Sequence, residues 1–325
     1  MQIKRVRVWS AAKVCGVLGA LVGVLGAGLA GLLSVISGQF YRGIGVEGSP
    51  SLGTRVGLVM AFPIAYAVLI WWLSTGCILY LDGLPKRTFP VSLAALSVLA
   101  SAALGGLALT AHEATPRGAF VAFTCAIVVW AWMELSFLTG ILTGPRRVGC
   151  LEHCGGAEHA RHAIEAVLYH ELAIVAGATA IVFTTWRAPN HVGLLTFVVL
   201  WVMRTSAKLN LFLGVRNLGE AFLPEHLAYL ASFLRRRRMN ALFPFSVTLG
   251  SIAVVAFAQR AAAPDAGAFE VAGCSLLASL LALAVLEHWF MVLPLPVAAL
   301  WSGFKARGAD KALIFPAPTI DRRVT

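Results

Sequence analysis

Runs of about 20 apolar residues, repeated along the chain and separated by short polar breaks, constrain this sequence more than any other feature. Inside lipid only α-helices and closed barrels satisfy their own backbone, and no alternating pattern of barrel strands is present. The chain is 59% hydrophobic and only 13% charged over 325 residues, whereas soluble domains average about 25% charged. The expected fold class is all-α, a polytopic helical membrane protein. Eight spans are expected, near 13–37, 56–81, 89–111, 118–143, 162–186, 191–213, 241–260 and 268–293. Short connections imply antiparallel neighbours. No internal repeat is visible, so nothing points to an inverted-repeat transporter.

The basic residues set the orientation. Nineteen of the 26 Lys and Arg fall on one set of alternating ends, five on the other, and Arg204 and Lys208 lie within a span. The positive-inside rule then predicts both termini on the cytoplasmic side. The formal charge of +11 is read as this topology signal, with no nucleic-acid partner implied. The first span follows a basic segment, Lys4 to Lys13, and reads as a retained anchor whose glycines permit close packing. Four cysteines, Cys15, Cys77, Cys125 and Cys274, lie in apolar runs and read as packing residues.

Several spans carry ionisable groups, which cost about 2.5–3.5 kcal/mol per charge at a helix centre. The set is Glu134, His170, Glu171, Arg204, Lys208, Asn210, Glu287 and His288. At 1.5 Å per residue, Glu134, His170 and Arg204 lie ~14–18 Å from the cytoplasmic ends of their spans and His288 ~9 Å from Pro294. Four helices thus place polar side chains in the same half of the membrane, while the outer half has almost none. Arg204 and Lys208, four apart, share a helix face. Three readings follow. The first is a buried ion-pair network that fixes helix register. The second is a metal site, with iron as the metal, built from Glu134, His170, Glu171, Glu287 and His288. The Glu-x-x-His of bundle di-iron sites is absent, however, and the adjacent pairs stand ~100° apart. The third is an axial ligand, His170 or His288, to a tetrapyrrole such as bacteriochlorophyll.

Two further stretches stand out. In CLEHCGGAEHARH, residues 150–162, Cys150, His153, Cys154, His159 and His162 supply zinc-type donors. Their spacing matches no standard pattern, and a flexible loop is the preferred reading. In the sixth loop, Pro224 starts a short helix with Leu227, Leu230, Phe233 and Leu234 on one side, followed by Arg235, Arg236, Arg237 and Arg238. This reads first as a topogenic cluster, and alternatively as a surface for anionic lipid or an acidic partner. There is no phosphate-binding loop, no dinucleotide fingerprint and no H-E-x-x-H, and no nucleophile elbow.

The motifs WWLSTG at 71–76, WAWMELSFLTGILTGP at 130–145, YHEL at 169–172 and SAKLNLFLGV at 206–215 resemble a known family. So do FLP at 222–224, RMNALFP at 238–244 and LEHWFMVLPLP at 286–296. The family is the photosynthetic-complex assembly proteins of the PuhE type from purple phototrophic bacteria, encoded near the gene for the reaction-centre H subunit. The resemblance runs from Tyr66 to Trp301. It divides the chain into an N-terminal extension with one anchor (1–55), a seven-helix core (56–301) and a cytoplasmic tail (302–325). It implies residence in the bacterial inner membrane, cytoplasmic or intracytoplasmic. The implied role is assembling the reaction centre and core antenna, or supplying bacteriochlorophyll to them. The implied partners are reaction-centre or light-harvesting subunits or pigment-synthesis proteins. A non-enzymatic factor is the first reading. The alternative is a membrane-embedded, metal-dependent enzyme acting on a tetrapyrrole intermediate of the bacteriochlorophyll pathway. The Cys/His loop is outside the family's pattern.

Overall fold

The computed structural model describes residues 52–150, 154–219 and 223–293. The expected first span, the anchor assigned to 1–55, His153 and the tail at 302–325 lie outside these residues. Among the described residues there are seven long helices and no strand, only an isolated bridge between Val215 and Arg236. The helices are α1 (Leu52–Asp82), α2 (Phe89–Thr110), α3 (Pro116–Leu138), α4 (Gly156–Thr184), α5 (Val192–Leu213), α6 (Leu242–Ala261) and α7 (Ala268–Phe290). All seven are long and apolar enough to cross a membrane. The chain is an all-α polytopic membrane protein.

The helix starts follow local chemistry. Pro116 opens α3, where its missing N–H is no loss, and the Thr115 hydroxyl accepts from Gly118 N–H at 3.1 Å. Asn240 does the same for α6, its Oδ1 accepting from the N–H groups of Leu242 and Phe243 at 2.8 and 3.1 Å. Two boundaries differ from the sequence expectation. The fourth expected span, 118–143, ends as helix at Leu138, because Gly140 turns the chain at φ +75°. The fifth begins at Gly156 rather than 162, so His159 and His162 belong to a helix and not to a loop.

α3 is the centre of the bundle. Within its span 72% of residues are buried, against 11% for α6, which packs mainly on α7. Phe120, Phe123, Ala126, Trp130 and Met133 of α3 meet Ile174 of α4, Phe197 of α5 and Leu276 of α7. Small residues let the backbones close in. A Cβ on Gly193 would lie 2.3 Å from Leu107 Cδ2 and 3.1 Å from the Ala122 carbonyl oxygen. Large apolar side chains such as Leu109, Phe183, Phe245 and Leu249 point outward, the arrangement of a surface bathed in lipid rather than water.

The loops interlock on two faces, as alternating crossings require. On one face Asn190 donates through Nδ2 to the Thr110 oxygen at 3.1 Å, and Arg260 pairs with Asp265 and Glu270. On the other, His226 Nε2 bonds the Leu138 oxygen at 2.8 Å, Cys150 N–H donates to Ser232 Oγ at 2.9 Å, and Asn217 N–H donates to the Met291 oxygen at 2.8 Å. This second face carries Lys86, Arg87, Arg146, Arg147, Arg216 and Arg235 to Arg238, the basic set of the sequence.

A 3-10 helix, Glu225–Phe233, caps that face. Its buried residues Leu227, Leu230 and Phe233 recur every three positions, the period of a 3-10 rather than an α-helix. They pack on Phe137 of α3 and Ala166 of α4. The apolar side expected of this segment is therefore turned into the protein, not into lipid. Arg235 lies over the Phe212 ring at 5.7 Å, while Arg236, Arg237 and Arg238 remain exposed.

Candidate functional site

Beneath the cap, the ionisable side chains of four spans meet. Each comes from a helix on which the sequence had placed it, but the pairings are specific. Arg204 of α5 donates through Nη2 to Glu134 Oε2 of α3 at 2.9 Å. One turn along α5, Lys208 Nζ lies 2.5 Å from Glu171 Oε1 of α4 and 5.9 Å from the centre of the Phe137 ring. The two bases share a face of α5, and that face looks into the notch between α3 and α4. Lys208 and Arg204 are also within electrostatic reach of one another, and Arg204 of Glu287.

The pair on α7 resolves in two directions. Glu287 Oε1 accepts from the Trp71 indole of α1 at 2.8 Å. His288 turns inward and has both nitrogens engaged, Nε2 with Ser206 Oγ of α5 at 2.9 Å and Nδ1 with the Ala284 oxygen at 2.8 Å. Asn210 donates to the Ser206 oxygen at 2.9 Å and to Ser246 Oγ of α6 at 3.0 Å, and accepts from Asn240 Nδ2 at 3.1 Å. Seven of the eight residues singled out in sequence thus pair in neighbouring groups that make a polar layer through α1, α3, α4, α5, α6 and α7. Trp71, Ser206, Ser246 and Asn240 belong to it and were not among them. Trp71, Ser206 and Asn240 lie in the motifs WWLSTG, SAKLNLFLGV and RMNALFP, and Asn240 also stands immediately before an apolar run; Ser246 carried no signal.

His170 is different. It is fully buried against Phe137, ring centres 4.7 Å apart, and neither ring nitrogen has a hydrogen-bond partner among the described residues. Glu134 Oε1 and Thr143 Oγ1 are also buried and unpaired. A connector explains the seal. Residues 139–147 run back along α4 rather than continuing α3. His170 N–H donates to the Thr143 oxygen at 2.9 Å, and Arg146 N–H approaches the Glu165 oxygen at 3.4 Å. Gly144 makes this approach possible, since a Cβ there would lie 2.0 Å from the Glu165 oxygen. Non-helical backbone at membrane depth is tolerated only where protein covers it, and here α4 and the 3-10 cap do so.

This geometry bears on the three sequence readings. The carboxylates of Glu134, Glu171 and Glu287 point to separate donors rather than to a common centre. Neither imidazole presents a nitrogen to an open face where a pigment ring could lie flat. The interhelical lock is the arrangement favoured. Metal-type donors converge elsewhere: Cys150, Cys154 and His159 each bring one ligand atom to within 4.8 Å of the others. That is the stretch read in sequence as a flexible loop.

The lock is not closed on every side. Arg204 is 40% exposed in its side chain and Glu171 31%, and Glu287 is exposed. Charge at this depth faces lipid that cannot solvate it.

Fold and site together define a polytopic all-α membrane protein whose spans are cross-linked by polar pairs beneath the 3-10 cap. The chain belongs to the DUF3623 family, described as protein of unknown function, whose family model matches residues 58–311. It is 41% identical over 265 residues to an uncharacterized 30.4 kDa protein in the puhA 5' region of Rhodobacter capsulatus, covering 78% of this chain and 94% of that protein. No solved structure matches it.

Proposed function

We propose that this chain is an integral-membrane assembly factor of the photosynthetic apparatus. It serves formation of the reaction centre and core antenna, or delivery of bacteriochlorophyll to them, and sits in the bacterial inner membrane. The position of its relative in the puhA 5' region supports the photosynthetic setting, and so does the resemblance of its motifs to PuhE-type proteins. The polar layer supports a binding role over catalysis, because its carboxylates are engaged between helices.

The observation that carries this reading is the exposed charge of Arg204 and Glu287 at a depth where lipid offers no partner. A client transmembrane helix, or the polar edge of a pigment, would cover it. Leu209 and Trp289 supply exposed apolar surface on the same two helices, and Tyr169 and Leu172 on α4. The test is a deletion strain assayed separately for pigment precursors and for assembled complexes. Assembled reaction centre and core antenna fall, no single precursor accumulates, and an Arg204→Leu copy fails to restore them. Accumulation of one bacteriochlorophyll precursor would overturn this in favour of a metal-dependent enzyme of that pathway.

A further inference from the structure

We propose that Cys150, Cys154, His159 and His162 bind a zinc ion that pins the α3–α4 connector to the start of α4. The sulfurs of Cys150 and Cys154 are in bonding contact, as in a disulfide, and an ion held by both thiolates parts them to about 3.8 Å. His159 Nδ1 is 3.2 Å from Cys150 Sγ. His162 Nδ1 is 3.2 Å from Cys154 Sγ and 3.7 Å from Cys150 Sγ. A tetrahedral site with Zn–S of ~2.3 Å and Zn–N of ~2.0–2.1 Å holds sulfur and nitrogen about 3.5 Å apart. The three sulfur–nitrogen separations bracket that value; Cys150, Cys154 and His159 form the convergent set, and His162 joins it from the two sulfurs.

The local sequence builds this corner. His159 and His162 are three apart at the start of α4 and so share a face. Gly155 and Gly156, the latter at φ +57°, bring the chain from Cys154 into that helix. On the other side the Arg146 guanidinium holds the Gly149 oxygen at 3.0 Å, and Cys150 N–H is fixed on Ser232 of the cap. Both imidazoles are buried. His159 stacks on Phe212 at 5.3 Å and lies 5.8 Å from Phe233. Glu158 sits 3.9 Å from His162 Nε2, one turn before it on α4.

Zinc is favoured over other ions by the donors. Two thiolates and two imidazoles make a closed four-coordinate set for a borderline-soft ion, and two thiolates neutralise its charge. A disulfide would leave two imidazole nitrogens facing sulfur, a weak acceptor. The basic loops around the corner mark it as cytoplasmic, where thiols stay reduced. Nothing here depends on the assembly role.

The test uses the full chain in detergent, purified under reducing conditions and dialysed against a weak chelator. Elemental analysis gives one zinc per chain. Cys154→Ser and His159→Ala each lower it at least tenfold, while Cys77→Ser and Cys274→Ser leave it unchanged. Helical content by circular dichroism separates loss of the site from loss of the fold. Cobalt in place of zinc gives the intense visible absorption of a tetrahedral site with thiolate ligands. A wild-type chain that holds no zinc and whose mass shows a Cys150–Cys154 disulfide overturns the proposal. So does zinc that survives in the Cys154→Ser and His159→Ala variants.

Discussion

The polar layer within the membrane and the Cys/His corner at its edge both gather groups that are costly to bury, and they resolve the cost differently. In the layer each charge finds an opposite charge or an indole on another helix. In the corner two sulfurs face two imidazole nitrogens, soft donors whose mutual hydrogen bonds are weak. Charge pairs between helices make a lock, whereas the corner is the place where we propose a ligand. The contrast teaches that the number of polar residues at a place says less than whether they can satisfy one another.

That contrast can be broken at the lock first. Arg204→Ala leaves Glu134 nearly buried without its base. Taking the low end of the range for a broken buried pair, because Arg204 is 40% exposed, the expected loss is about 3 kcal/mol. Thermal unfolding in detergent measures it. A Glu134→Gln, Arg204→Met double variant recovers most of the loss. If the double variant is as unstable as the two single losses added, the residues are not a coupled pair.

At the corner the expected effect is similar and depends on the ion. Chelation removes a stabilisation of about 2.7 kcal/mol when free zinc had been a hundred times its dissociation constant. Limited proteolysis should then cut faster between Gly149 and Gly156, with no change in the loop between α6 and α7. Equal rates with and without chelator would make the corner as self-contained as the lock.

Between the two lies the connector. Gly144→Ala forces a methyl against the Glu165 carbonyl and should cost about 1–3 kcal/mol. It should also expose His170 to hydrogen exchange. A neutral outcome would mean that the seal over His170 does not depend on this contact.

The smallest effect concerns pH. His226 joins the cap to α3, and burial holds its imidazole below the ordinary histidine range, more than its bond to the Leu138 oxygen raises it. The unfolded chain therefore binds this proton at higher pH than the folded one. The contribution is complete above about pH 6.5 and declines as pH falls below it. Melting curves across this window should show a slight fall toward acid that His226→Asn removes. A fall of the same slope in that variant would assign the effect to another group.

Much of this was readable from residues alone, and for a definite reason. Lipid admits only helices long enough to cross it. The apolar runs therefore fixed the seven helices now described, and alternation of the basic loops fixed which ends lie together. Counting about 1.5 Å per residue was enough to suggest that Glu134, His170 and Arg204 lie near one another, but the distances it gave assumed helix ends that the structure moves to Leu138 and Gly156. Azimuth and neighbourhood were not readable. No pattern said that Arg204 would take Glu134 and Lys208 Glu171, that Glu287 would turn to Trp71, or that His288 would face Ser206. The connector misled for the same reason. The apolar run through Leu142 looks helical, and only packing of Gly144 against the α4 backbone shows that the chain has turned back. His159 and His162 read as loop residues until α4 was seen to begin at Gly156, which sets them one turn apart beside Cys150 and Cys154. The sequence by itself determined which stretches are long and apolar enough to cross the membrane and which of them carry charge. The tertiary structure decided which charges meet, because that depends on the rotation of every helix about its own axis, settled by packing against α3.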